Sequence, residues 1–132
     1  MKAVITIKSR EKMLKARSGE KALPKIVGFA FGDGGVDSGG NVKDASPDAN
    51  ALNNELLRKP IDGYNYTSNL VCCYSCTLAK NELAGCKISE MALYDEEGDL
   101  AAIKNCLPKG KDDDLEMTFS IDDSMEIVEE EG

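Results

Sequence analysis

Between Ile88 and Ala102 the chain sets an apolar-rich run, Ile88-Ser89-Glu90-Met91-Ala92-Leu93-Tyr94, against a second one opening with Leu100-Ala101-Ala102. The connection is polar and contains glycine: Asp95-Glu96-Glu97-Gly98-Asp99. Strand formers on both sides of a short polar turn predict a β-hairpin, one arm from about Cys86 to Tyr94 and the other from Leu100 to Cys106. Upstream, Lys25 to Phe31 reads as a strand, with Val27, Phe29 and Phe31 on one face and small Gly28 and Ala30 on the other. The small face predicts close packing of another element. Leu115 to Ile121 alternates apolar and polar residues, a strand with one wet face. Asn69 to Leu78 is rich in strand formers and places Leu70, Cys72, Tyr74, Cys76 and Leu78 on the side to be buried.

Helical signals are confined to the first half. Ser9 is a capping residue for a helix over about 10–17, with Gly19 as its stop and Met13, Leu14 and Ala16 as a narrow apolar stripe. Ser46-Pro47-Asp48 opens a second short helix that runs to about Leu56, weakened by Asn50, Asn53 and Asn54 and ended before Pro60. Residues 32–46 form a glycine-rich loop, expected to be exposed and mobile because it offers little surface to bury. Together these predict an α+β fold: a mostly antiparallel β-sheet or small sandwich with one or two short helices near the N-terminus. At 132 residues the chain fits one domain, read as residues 1–128, with a frayed acidic tail over 129–132.

Charge sharpens this picture. Residues 1–30 carry a net +6 and the remaining chain −14, for a total of −8. A basic helix face beside an acidic body, with aromatics at 5%, speaks against nucleic acid as a partner. The apolar runs are far too short to cross a bilayer, and Met1 to Ile7 leads into Lys8, Arg10 and Lys12 without a long apolar region, so neither a membrane nor a secretory route is expected.

Spacing decides among the candidate chemistries. Cys73-x-x-Cys76 is the only cysteine pair with chelating spacing, but in a strand residues three apart point to opposite faces, and the sequence has no histidine to complete a zinc site. Five cysteines are an odd count for a disulfide framework, so small buried thiols are the favoured reading. A cytosolic metal- or redox-responsive domain built on Cys72, Cys73 and Cys76 is the alternative. Asp33, Asp37 and Asp44 fail the EF-hand pattern, because Gly35 and Ser38 stand where a ligand and the glycine belong. Gly32-x-Gly34 lacks the third glycine of a dinucleotide fingerprint. Without histidine, and with no nucleophile–base spacing, no catalytic residue and no cofactor or metal site is assigned.

Four pieces, in order, resemble the phage tail-collar fibre protein family. They are Phe31-Gly32-Asp33-Gly34-Gly35; Asn54-Glu55-Leu56-Leu57-Arg58-Lys59-Pro60-Ile61; Gly85 with Ile88 to Asp95; and the returning strand Gly98-Asp99-Leu100-Ala101-Ala102. The likeness runs from about residue 5 to 122. It implies a structural virion part at the baseplate-proximal end of a tail fibre, prophage-encoded and trimeric in a fibre. It further implies baseplate or other tail-fibre proteins as partners, and passage from the bacterial cytoplasm into the virion tail. The contact candidates are Asp33, Gly34, Gly35 and Asp37 in the loop and Asp95, Glu96, Glu97, Gly98 and Asp99 in the hairpin turn, since exposed strands and loops can add to a partner sheet.

Overall fold

Phe29 and Phe31 leave their strand on the same side, and the architecture follows from what they meet. The computed structural model describes residues 3–127. Among these the chain runs β1 (Val4–Ile5), α1 (Ile7–Arg17), β2 (Ile26–Gly32), β3 (Glu55–Pro60), β4 (Gly63–Ser68), β5 (Val71–Leu78), β6 (Lys87–Asp95), β7 (Leu100–Gly110) and β8 (Met117–Ser124). A large sheet has the order β1-β7-β6-β2-β3 and a small one β4-β5-β8, with antiparallel pairing throughout.

The sheets bury one face each against the other. Phe29, Phe31, Met91, Leu93 and Ala102 of the large sheet pack with Cys76, Leu78, Phe119 and Ile121 of the small one. Phe31 meets Phe119 edge to face, with ring centroids 5.3 Å apart. The opposite face of the large sheet is covered too: Ala30, Ala92, Leu100 and Ile103 lie under Leu52, Ala45 and Ala49 of the long connection over residues 33–54. β6, central in its sheet, is therefore buried on both faces along most of its length. Small residues at Ala30 and Ala92, which are register partners, let the connection lie close.

Several predicted elements differ. The helix begins at Ile7, capped by Thr6, whose hydroxyl accepts from the Ser9 N–H (3.1 Å) and donates to the Leu100 carbonyl (2.8 Å); Ser9 is one turn inside. None of its residues is fully buried, and Leu14, assigned to an apolar stripe, is 65% exposed. No helix follows Ser46. The N–H groups of Asn53 and Asn54, which a helix would turn along its axis, point instead at a side chain of β6, and Leu52 is pulled into the outer cluster. Residues 55–60 are strand, pairing Leu57 with Phe31 and Arg58 with Ala30, and Pro60 is tolerated because β3 is an edge. The loop over 32–46 is anchored rather than loose at its start: Gly35 is buried, and Val36 bridges Val42. Leu70 lies outside the strand and half exposed, while the period-two face of β5 buries Cys72, Cys76 and Leu78. The tail assigned to 129–132 lies outside the described residues.

Gly35 shows how tightly the connection sits. Its N–H donates to the Ser89 hydroxyl at 2.9 Å, and a Cβ there would run into the Ser89 carbonyl. Gly35→Ala is expected to lower stability by about 2 kcal/mol or more. Gly63→Ala, whose Cβ would meet open space, should stay within about 0.5 kcal/mol. Urea midpoints of the two variants check this.

Candidate functional site

A glutamate stands in the middle of the central strand of the large sheet. Glu90 is 1% exposed, between Ser89 and Met91 on β6, on the face away from the sheet–sheet core. Its carboxylate accepts three backbone N–H groups: Oε1 from Asn53 (2.8 Å), Oε2 from Asn54 (2.7 Å) and from Gly34 (2.9 Å). These donors come from the two ends of the 33–54 connection. Glycine is required alongside, because Cβ atoms at Gly32 and Gly34 would meet the Asn54 carbonyl, the Asn53 side chain and the Glu90 carboxylate itself. A buried carboxylate is tolerable when such donors replace water. Next to it Asn105, the register partner of Glu90, donates to the Lys43 carbonyl (3.0 Å).

The other end of β6 carries a second polar assembly. Asp95 is buried; its Oδ1 accepts the N–H groups of Glu97 (2.9 Å) and Asp99 (3.2 Å), closing the turn in which Gly98 takes φ +85°. This folds the carboxylates of Asp95, Glu97 and Asp99 around one point, and the Lys12 ammonium of α1 fills it, at 2.6, 3.1 and 2.8 Å. Lys8 reaches Asp99 (3.2 Å) and Lys21 reaches Glu97 (2.7 Å). Glu96 accepts the Lys25 N–H (2.8 Å), and the Gly98 carbonyl accepts from Arg58 (2.8 Å). A triad that is able to ligate a cation is thus served by an intramolecular one. Burial works against the charge on Lys12, but hydrogen bonds to Asp95, Asp99 and Glu97 outweigh it and raise its pKa. Lys21 and then Lys12 hold Glu97 below the usual carboxylate range, and Lys12 does the same for Asp99.

The residues singled out from sequence therefore fall into two groups, one beside Ser89 and Glu90 and one at the Asp95 end of β6, about 17 Å apart for the five-residue span from Glu90 to Asp95. Asp33 is exposed and bonded to the Asn54 side chain (2.6 Å). Asp37 is exposed and accepts the N–H groups of Asn41 and Gly39, chiefly the former, which lowers its pKa. Gly35 and Asp95 are buried, so the part of the candidate surface open to a partner is Asp33, Asp37 and Glu96 to Gly98. The cysteines are free and divided: Cys72 and Cys76 are buried, while Cys73 belongs to the opposite face of β5. Burial raises the Cys76 pKa to about 11 and also raises those of Cys73 and Cys106, the environment of unreactive thiols.

Glu90 draws together three segments distant in sequence: Gly32 to Gly35, Asn53 and Asn54, and the first half of the hairpin. A family model described as phage tail-collar fibre protein, N-terminal, matches residues 1–122. The chain belongs to that family. Searches of curated proteins and of solved structures each return no match. Membership makes the protein a structural tail-fibre module that associates with other tail components. Three of the four stretches that carry the likeness to the tail-collar fibre family are the stretches brought together at the Glu90 carboxylate. Glu90 had no role assigned from sequence; the signal was a lone carboxylate amid Ile88, Met91, Ala92 and Leu93, all buried.

Two substitutions test these assemblies. Glu90→Gln places an amide donor against one of the three N–H groups, and a loss of about 1–3 kcal/mol in unfolding free energy is expected, measured by urea denaturation. Lys12→Met leaves three carboxylates facing one another and should cost about 1–3 kcal/mol. The lowered pKa values of Glu97 and Asp99 mean that the cluster stabilises above their ordinary values of 4.5 and 3.8 and loses that contribution as pH falls below them. The raised Lys12 pKa preserves it beyond the ordinary 10.5. A melting-temperature profile between pH 3 and 7 should therefore be flatter for Lys12→Met than for the wild type (roughly the carboxylate range).

Proposed function

We propose that this chain is the attachment module of a prophage-encoded tail fibre: a single domain over residues 1–128 that joins the fibre to the baseplate and trimerises with the fibre. The observation that supports it most is the family match over residues 1–122 together with the geometry of its shared stretches, which build a scaffold fastening at Glu90 and present no nucleophile–base pair. The described residues form a two-sheet body whose polar groups are spent on holding connections in place, as suits a part that must transmit load rather than turn over substrate. Assembly in the bacterial cytoplasm and residence in the virion tail follow from this reading, as does contact through Asp33, Asp37 and the outer rim of the Glu96–Gly98 turn. A metal- or redox-responsive role for the cysteines has less support, because Cys73 is separated from Cys72 and Cys76 by the sheet and burial raises the thiol pKa values of Cys73 and Cys76.

Induced particles examined by mass spectrometry and by labelling electron microscopy test the proposal. The chain should be found in purified tails, with label at the junction of fibre and baseplate. Label at the fibre tip, or absence from particles, contradicts it.

A further inference from the structure

Among the described residues the two sheets have four edges, and three are guarded. β1 is two residues long; β3 carries Glu55, Arg58, Lys59 and Pro60; β8 carries Asp122 and Asp123. Short length, charge and proline are the devices that keep an edge from accepting another strand. β4 has none of them. Gly63-Tyr64-Asn65-Tyr66-Thr67-Ser68 contains no charged residue in a chain that is 30% charged, and all but Gly63 are exposed. Tyr64 and Tyr66 are 62% and 70% exposed.

Beside this edge lies a groove of about 350 Å³, walled by Tyr64, Tyr66 and Tyr74 on one side and by α1 and the start of β2 on the other. The register explains it: Tyr66, Cys72 and Asp123 form one cross-strand row, and Tyr64, Tyr74 and Ile121 the next, so the face of the small sheet continues beyond the core as an aromatic shelf. Tyr64 stands edge-on to Tyr66 at 6.1 Å and tilted to Tyr74 at 5.8 Å. Asp123 lines the same groove, partly buried, with no hydrogen bond or ion pair to its carboxyl among the described residues, and burial raises its pKa. Of the two lysines that line the groove, Lys12 on the far wall is committed to Asp95, Glu97 and Asp99, and Lys25 is exposed to solvent.

We propose that β4 is the docking edge for an extended segment of another protein, added as a fourth strand to the small sheet, with an arginine or lysine side chain laid over Tyr64 and Tyr66 and directed along the groove toward Asp123. Backbone groups of β4 supply pairing that is indifferent to sequence, and the groove supplies the choice of side chain. Aromatic faces and a partly desolvated carboxylate favour a cation, a guanidinium most. A second copy of this chain fits less well, because β4 presents no cation, and self-pairing would leave Asp123 without a counter-charge.

The full chain, titrated with two short synthetic peptides of alternating threonine and valine that differ only in a central arginine or glutamate, tests this by NMR. The arginine peptide should shift the amide resonances of Gly63 to Ser68 saturably, and the glutamate peptide should bind at least about tenfold more weakly. Asp123→Asn, which keeps shape and removes the charge, should weaken the arginine peptide by about tenfold. Tyr66→Ala, at an exposed position, should weaken it while leaving the melting temperature unchanged. Equal binding of both peptides, shifts at β3 or β8 in place of β4, no saturable shift with either peptide, or a concentration-dependent dimer that protects the β4 amides would each overturn the proposal.

Discussion

One carboxylate, placed where a side chain of the core would be expected, holds this fold in its particular form. Glu90 takes one N–H from near the start of the 33–54 connection and two from its end. A segment of that length, mostly exposed and rich in glycine, gains too little from burial to order itself. With its ends fixed on β6, Leu52, Ala45 and Ala49 are brought down onto Ala30, Ala92 and Ile103, and the outer face of the large sheet is dried. The dependence is mutual. The carboxylate needs the donors because it lies out of reach of water, and among the described residues it is the acceptor of all three N–H groups.

The far end of β6 is fastened by charge in place of backbone amides. Because no residue of α1 is fully buried, its attachment rests on the Thr6 cap at the Leu100 and Ala101 carbonyls and on Lys12 within the Asp95, Glu97 and Asp99 carboxylates. This also reconciles the lopsided charge of the chain. The basic first thirty residues and the acidic hairpin turn are complementary surfaces of one molecule, and Lys8, Lys12 and Lys21 spend their charge internally. Among the described residues the small sheet keeps, in β4, an exposed edge that lacks charge and proline.

Much of the fold was legible in the chain. The hairpin of β6 and β7 follows from its turn, and the faces of Phe29 and Phe31 in β2, the period of β8 and the burial of Cys72, Cys76 and Leu78 in β5 follow from alternation; Val27 departs from it, because a register shift between Ile26 and Gly28 sets Ile26 on the core in its place. Small Gly28 and Ala30 correctly signalled a close neighbour: the Tyr94 ring lies against Gly28, leaving no room for a Cβ, and the connection lies over Ala30. What failed was non-local. Ser46-Pro47-Asp48 satisfies every local rule for a helix start, yet the N–H groups that follow are claimed by a carboxylate 36 and 37 residues downstream, which no local rule sees. Glu55 to Pro60 has charge and proline where a central strand would be apolar, and reads as a strand only once its place at an edge is known. The acidic turn was legible as a turn, but not as the socket of Lys12, because 83 residues separate Lys12 from Asp95.

Family membership gives the overall role, and the physical account gives a reason for the shared stretches: three of them meet at one carboxylate. Native-state hydrogen exchange, followed residue by residue at neutral pH, tests that claim most directly. If Glu90 pins the connection, the amides of Gly34, Asn53 and Asn54 exchange as slowly as those of Phe31 and Ala92 in the sheet, opening only when the domain unfolds. Exchange of those three amides at the fast rate of the exposed loop tip near Gly40, while the sheet amides stay protected, would contradict it.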